Sequence, residues 1–302
     1  MRPFPVPKKA SLPLALLELT RPRQWPKNLV VFAALLFSGH FVDAREVLLA
    51  GQAFFSFVLL SSSVYSFNDA RDAENDRHHP LKRLRPVASG RVSAAAATLF
   101  SLLLGLAGLV LAGLLGPFML LLGLTYLASS SAYSLWLKHV VILDVFFLAL
   151  GFVLRAVAGG MAIRVPVSEW LLVCTTLLAL FLGLAKRRQE LGLLKQGARS
   201  HRRSLEEYSQ ALLDEMMSVV TSATVVAYSI YTFDAHPYHG MHLMMLTIPF
   251  VLYGIFRYLY LVHQKGLGGS PEAVLLTDRA MLVDVLLWAL CSGAILALEK
   301  RG

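Results

Sequence analysis

The residues Asn68-Asp69-Ala70-Arg71-Asp72-Ala73-Glu74-Asn75-Asp76 stand directly behind an apolar run from Leu48 to Phe67. The basic run His78-His79-Pro80-Leu81-Lys82-Arg83-Leu84-Arg85-Pro86 follows at once. Four acids therefore sit where a helix long enough to cross a bilayer meets water. At about 100° per residue, Asn68, Asp72 and Asp76 step round a helix by roughly 40° each, and Asp69 falls about 100° from Asn68. Tyr65 lands in the same arc, whereas Glu74 points the opposite way and reads as a solvated bystander.

Carboxylates crowded beside a carboxamide repel one another unless a hard cation sits among them. Oxygen-only ligands suit Mg2+, which completes its shell with waters and substrate phosphates. Two readings stand on the residues alone. One is a magnesium site for a phosphorylated substrate; the other is a juxtamembrane acidic turn paired with the basic run behind it. Three acids and an asparagine on one arc favour the first.

Outward from this stretch, the chain is 56% hydrophobic with a mean hydropathy of +0.61, and apolar segments near bilayer length recur from end to end. The expected fold is an all-α integral membrane bundle of nine transmembrane helices around a cytoplasm-facing active-site cavity. The spans read Asn28–Phe41, Leu48–Phe67, Ala94–Leu115, Pro117–Leu137, Val140–Gly160, Trp170–Leu184, Met216–Phe233, His242–His263 and Ala280–Leu298. Residues 1–302 form one domain in this reading. Residues 1–25 are a cytoplasmic N-terminal segment, and 68–93 and 185–215 are cytoplasmic active-site loops. With the N-terminus inside, 22 of the 28 Lys and Arg residues fall on one side and four on the other, which obeys the positive-inside rule. The net charge of +9 is thus mostly topology and gives no case for nucleic acid. Cys174 and Cys291, the two cysteines, lie in apolar spans and offer neither a disulfide framework nor metal spacing. The prolines and Lys8-Lys9 near the start do not have the form of a signal peptide.

Other polar residues carry a plain and a functional reading side by side. In Thr20-Arg21-Pro22-Arg23-Gln24-Trp25-Pro26-Lys27-Asn28 the aromatic and the cations can be interfacial anchors, or Lys27 can reach a phosphate. Lys82, Arg83 and Arg85 supply charge-assisted donors for a phosphate-rich ligand whose other side the cation would bridge. Asp144 and Arg155 lie within a span, where ionisable groups face a bundle interior, a cavity or a partner. Eleven residues of helix hold them about 16 Å apart, so each needs another partner, and a buried anionic ligand is the functional reading for Arg155. Lys186-Arg187-Arg188-Gln189-Glu190 is a positive-inside flank with an i, i+4 Lys186–Glu190 pair, or a phosphate site. The Gly-rich residues 265–272 lack P-loop spacing.

Taken together, N-D-x-x-D-x-x-x-D after the second span, Arg-Pro-Arg-Gln-Trp-Pro-Lys-Asn, Tyr65-Ser-Phe-Asn-Asp-Ala-Arg-Asp, Pro-Leu-Lys-Arg-Leu-Arg-Pro, Leu137-Lys138-His139, Leu-Arg155-Ala-Val-Ala-Gly-Gly and Lys186-Arg187 before Glu190 resemble the UbiA superfamily of intramembrane prenyltransferases. Within it they resemble the decaprenyl-phosphate phosphoribosyltransferase branch. The resemblance implies Mg2+-dependent transfer of 5-phosphoribose from phosphoribosyl pyrophosphate to a polyprenyl phosphate in the bacterial cytoplasmic membrane, toward pentose donors for the cell envelope. It implies Asn68 and Asp72 as metal ligands and Asp69 and Asp76 as catalytic residues, Asp69 assisting at the metal and Asp76 orienting ribose hydroxyls. Tyr65, Lys82, Lys138, Lys186 and Arg187 would bind the donor, and Lys27 and Arg155 the lipid phosphate. Association into a homo-oligomer is compatible with this reading. Ordinary superfamily members resemble this chain in the first motif but carry a second Asp-rich cluster where Lys-Arg-Arg-Gln-Glu stands here. That departure argues against the rival reading, prenyl transfer to an aromatic or lipid acceptor. A transporter would call for internal repeats and broken helices, and none is legible.

Overall fold

The computed structural model describes residues 11–78, 82–195, 204–234 and 242–299. All regular structure among them is helical: α1 (Leu12–Leu19), α2 (Ala33–Phe37), α3 (Ala44–Arg71), α4 (Ala73–Arg77), α5 (Ala94–Leu115), α6 (Pro117–Leu135), α7 (Leu143–Ala162), α8 (Glu169–Lys195), α9 (Ser204–Glu207), α10 (Gln210–Asp234), α11 (Ile248–Lys265), α12 (Pro271–Thr277) and α13 (Arg279–Glu299), with short 3-10 segments between. Eight stretches among the described residues are long and apolar enough to cross a bilayer: Ala44–Arg71, Ala94–Leu115, Pro117–Leu135, Leu143–Ala162, Glu169–Leu193, Gln210–Asp234, Leu243–Lys265 and Arg279–Leu298. The chain is a multi-pass integral membrane protein.

The expectation of nine long helices is corrected at its first segment. Asn28–Phe41 is not one α-helix but the end of a 3-10 helix, Pro22–Phe32, then the five residues of α2, a left-handed Gly39 (φ 70°) and a second 3-10 turn, His40–Val42. Pro26 inside the first turns lacks an N–H and would clash with the carbonyl four residues back in an α-helix. At about 2.0 Å per 3-10 residue and 1.5 Å per α residue, Asn28–Phe37 covers roughly 17 Å, about half the bilayer core. A second boundary also moves. α8 continues to Lys195, so Lys186, Arg187 and Glu190 stand on a helix and not in a loop. Arg199, Arg202, Arg203 and the His79-Pro80-Leu81 part of the basic run lie outside the described residues.

The chain divides into two compact units, residues 1–25 with 52–131 and residues 26–51 with 132–302. In the first, α3 and α5 pack with the pattern of a soluble protein reversed. On α5 the outward residues are Leu99, Leu102, Leu106, Val110 and Leu114, while the buried face is Ala97, Ser101, Gly105, Gly108 and Ala112. Lipid is as apolar as leucine, so small residues that let backbones approach carry the helix contact. A Cβ at Gly108 would meet Leu60 at 2.9 Å, and Ser56 Oγ donates to the Gly108 carbonyl at 2.8 Å. Ser101 Oγ donates to the Ser63 carbonyl at 2.9 Å, and Gln52 Nε2 to the Leu111 carbonyl at 3.0 Å. Ser93 caps α5, its Oγ accepting from the Ala96 N–H at 3.1 Å.

In the second unit α7, α8, α10 and α11 share a core of Val145, Ala149, Phe181, Leu184, Leu213, Met217 and Tyr258. Around Trp288 an aromatic and hydroxyl cluster ties α2, α10 and α13. Its indole N–H donates to Tyr228 Oη at 2.8 Å, and Phe37 packs edge-on against Tyr231 and Trp288. The 3-10 segment lies hard against α7, where a Cβ at Gly159 would come within 1.9 Å of the Val31 carbonyl oxygen. The Gly-rich residues before α12 have a packing reason of the same kind. Cβ atoms at Gly268 and Gly269 would strike the Ala185 carbonyl at 2.7 Å and Gln189 Oε1 at 1.9 Å.

Candidate active site

The acidic stretch lies wholly in the first unit. α3 ends at Arg71, and Asp72 (φ −89°, ψ 5°) separates it from α4, yet the helical path is carried across. Asp72 N donates to the Asn68 carbonyl and Asp76 N to the Asp72 carbonyl, both at 2.9 Å. Asn68, Asp72 and Asp76 therefore keep their one-turn spacing. Glu74 is exposed, Asn68 and Asp72 are half-buried, and Asp69 and Asp76 are buried.

The buried pair is held by arginines. Asp69 Oδ1 accepts from Arg21 Nη2 at 2.5 Å and lies 3.2 Å from Arg85 Nη1, which donates to Asp76 Oδ2 at 2.7 Å. Arg85 thus bridges the two carboxylates. In part this is the plainer of the two readings, acids paired with the basic run behind them, and it corrects the expectation that Arg85 offers its donors to a ligand. Arg21 was not singled out in the sequence. It occupies the left-handed region (φ 52°) at the end of α1, its guanidinium lies 4.9 Å over the Tyr65 ring, and Thr20 beside it accepts from Ser62 Oγ at 3.1 Å. α1 is so pinned to α3 that Arg21 reaches Asp69. Arg21 and Asp69 lie 48 residues apart, and no spacing in the sequence marks the pair. Arg91 makes two bonds to Glu18, at 2.6 and 3.1 Å, while Lys82 and Arg83 are exposed.

Among the described residues no three His, Cys, Asp or Glu side chains converge to hold a metal ion by themselves. The donors on the half-buried arc, the Asn68 carboxamide and the Asp72 carboxylate, are hard oxygens one turn apart. Such a pair fits Mg2+, which uses one or two carboxylates and fills the rest of its shell with water and phosphate. It does not fit zinc, which prefers His and Cys.

The second unit holds the remaining candidates in two clusters. In one, Arg155, 4% exposed, donates from Nε to Asn28 Oδ1 at 2.6 Å and from Nη1 to the Gly151 carbonyl at 2.7 Å. Asn28 is the neighbour of half-buried Lys27 on the 3-10 segment, and the Gly159 approach to Val31 sits one α7 turn further along. In the other, Asp144 and Arg187, both fully buried, pair at 2.5 Å through Nε. Arg187 also donates from Nη1 to Glu190 Oε2 at 2.6 Å and from Nη2 to Tyr133 Oη at 3.0 Å. A buried guanidinium committed on all three nitrogens organises α6, α7 and α8. The expectation that Asp144 and Arg155 each take a partner other than the other is met by Arg187 and Asn28.

Tyr208 completes the second cluster and was missed in the sequence. Its hydroxyl donates to Asp144 Oδ1 at 2.7 Å and accepts from Ile142 N at 2.7 Å, while Ser204 Oγ donates to the Lys138 carbonyl at 3.0 Å. Ile142 has φ 69°, a conformation that strains a β-branched residue. The turn carrying Lys138 is therefore locked from two points. Burial and the bond to Asp144 hold the Tyr208 hydroxyl protonated well above the usual tyrosine range. Tyr208→Phe leaves the Ile142 N–H without its acceptor and removes a donor from Asp144. The expected loss is about 1–3 kcal/mol of stability, read as a lowered thermal midpoint in detergent; an unchanged midpoint would count against the lock.

Comparison with known proteins bears on this arrangement. The UbiA prenyltransferase family matches residues 29–276. The chain is 36% identical over 292 residues to the decaprenyl-phosphate phosphoribosyltransferase of Mycobacterium tuberculosis (strain CDC 1551 / Oshkosh), covering 95% of this chain and 96% of that one. It is 33% identical to the protein of the same name from Corynebacterium glutamicum, over 91% and 85% of the two chains. Among solved structures, a UbiA homolog from Archaeoglobus fulgidus bound to GPP and Mg2+ superposes with a TM-score of 0.72 at 18% identity, over 94% of this chain and 99% of that one. The same homolog bound to Cd2+ gives 0.68 at 17% identity, again over 94% and 99%. With matched residues running from the 3-10 segment through α12, this chain belongs to the UbiA prenyltransferase family.

Proposed function

We propose that the chain transfers 5-phosphoribose from phosphoribosyl pyrophosphate to a polyprenyl phosphate and releases pyrophosphate, with the N-terminus and the acidic stretch on the cytoplasmic side of a bacterial membrane. Supporting it are the phosphoribosyltransferase names of relatives that match nearly the whole chain. The observation that carries it is in the chain itself: one acidic arc behind α3, and Lys186-Arg187-Arg188 on α8 in place of a second acidic cluster. A single arc of hard oxygens and a surplus of cations suit a donor with a pyrophosphate at one end and a further phosphate at the other.

Asn68 and Asp72 would hold Mg2+, whose charge offsets that gathering on the departing pyrophosphate. Tyr65, Lys82, Lys138 and Lys186 bind donor phosphates. Arg187, committed to Asp144, Glu190 and Tyr133, serves them by fixing the helix that bears Lys186 and the turn that bears Lys138. Asp69 and Asp76 hold Arg21 and Arg85 in place, and Asp76 orients the ribose hydroxyls as a hydrogen-bond acceptor. Lys27 and Arg155 receive the acceptor phosphate. One of its oxygens forms the new bond to C1 as the bond from C1 to pyrophosphate breaks. That oxygen is already ionised at neutral pH, so no strong base is needed.

Membranes containing the folded protein, given labelled phosphoribosyl pyrophosphate, Mg2+ and a polyprenyl phosphate, are expected to carry label into the lipid fraction. A prenyl diphosphate with an aromatic acceptor is expected to give no product. Absence of labelled lipid, or prenylation in the second assay, would overturn the proposal.

A further inference from the structure

α11 and α13 enclose a groove of about 550 Å3 on the surface of the second unit. Phe250 and Tyr253 of α11 and Val283 and Leu287 of α13 give it apolar walls, and Tyr253, Val283 and Leu287 are about half exposed. In a membrane protein such a face is turned to lipid. Two residues lining the groove are charged, Asp284 and Arg279.

Asp284 is only 8% exposed. Its carboxyl is seated on the α11 backbone at Gly254, where an added Cβ would come within 2.9 Å of Oδ2. No hydrogen bond or ion pair of the Asp284 or Arg279 side chain occurs among the described residues. A carboxyl set among apolar side chains in a membrane helix calls for a partner, because burying a polar group without a hydrogen bond is costly. That partner has to come from what fills the groove.

The order of groups along α13 narrows the occupant. Arg279 is the first residue of the helix, Asp284 lies about 7.5 Å further along the axis, and Leu287 lies beyond it. From the membrane surface inward, a diacyl glycerophospholipid presents a phosphate, two ester carbonyls and acyl chains in the same order. A carboxylic acid has one O–H to donate, and an ester carbonyl accepts it. A polyprenyl phosphate carries its phosphate directly on hydrocarbon and has nothing to meet Asp284. We infer that the α11–α13 groove binds a diacyl glycerophospholipid, with Arg279 on the phosphate, Asp284 donating to an ester carbonyl and an acyl chain along Phe250, Tyr253 and Leu287. This site is separate from the acceptor lipid of the proposed reaction, and nothing in it depends on that reaction.

The full-length chain in detergent, titrated by native mass spectrometry, tests it with three probes: dioleoyl phosphatidylglycerol, its diether counterpart and undecaprenyl phosphate. Wild type is expected to bind the diester about tenfold more tightly than the diether, the worth of one hydrogen bond out of water. Asp284→Leu should remove that preference and Asp284→Asn, whose amide still donates, should keep it. Arg279→Gln should weaken both glycerolipids alike. Val283→Trp, which fills the groove and leaves both charged residues in place, should remove specific binding, and it carries the test if Asp284→Leu does not fold. Equal affinity for diester and diether would overturn the inference. So would tighter binding of undecaprenyl phosphate, or a change in the number of chains per particle in place of a change in bound lipid.

Discussion

Asp72→Ala is expected to lower transfer of labelled phosphoribose into lipid by about a thousandfold at any practical Mg2+ concentration, while Glu74→Ala stays within about twofold of wild type. Both residues are acids in one short stretch, and they differ in where the helix points them. Asp72 is half-buried one turn beyond Asn68, and Glu74 is exposed. Loss of one of two protein oxygens on a hard cation cannot be made up by water alone when a pyrophosphate has to be held and its charge offset as it leaves. Asp72→Asn keeps an oxygen but not its charge and should fall between them. Asp69→Ala is a different experiment. It takes a carboxylate from between Arg21 and Arg85, so folded yield should drop along with activity. Equal losses at Asp72 and Glu74, with protein recovered in equal amounts, would remove the helical-arc argument.

Gly159→Val is expected to destabilise the protein by about 3 kcal/mol or more, lowering the thermal midpoint in detergent by roughly 10 °C. The first atom of any side chain there would lie 1.9 Å from the Val31 carbonyl oxygen and 2.9 Å from its carbon. Backbone cannot give way as a flexible side chain can, so the 3-10 segment has to lift from α7. With it go the Asn28 partner of Arg155 and the placement of Lys27. Gly51→Ala is the control, since nothing lies within 4 Å of a Cβ there and alanine favours helix. It should be neutral or slightly stabilising. A Gly159→Val protein as stable as wild type would mean that the approach of the two backbones is not what holds the segment.

The membrane class, the segments that became the eight long helices and the one-turn spacing of Asn68, Asp72 and Asp76 were legible because they depend on composition and helical period. Local chemistry also explains the one segment that departed from expectation. Pro26 inside the 3-10 helix and Gly39 in the left-handed region break this short apolar run, and hydropathy alone does not register either break. The partners of the charged residues were another matter. Arg187 looked like a phosphate ligand at a helix end and is a fully buried organiser, because Asp144, 43 residues earlier, Glu190 and Tyr133 meet it inside the second unit. Tyr208 gave no signal at all, being one tyrosine in a polar connection. The glycines at 268 and 269, which lack the spacing of a phosphate loop, serve the packing of their loop on α8.

Taken alone, the sequence determined that this chain crosses the membrane many times and bears its acids on one arc at a helix end, since hydropathy and a period of 3.6 residues act on neighbours along the chain. The tertiary structure alone decided which acids are spoken for. Asp69 and Asp76 are held by Arg21 and Arg85, and Asp144 by Arg187 and Tyr208. An ion pair depends on distance in space, and in this fold the partners of a buried charge come from as far as 127 residues along the chain, as Asn28 does for Arg155.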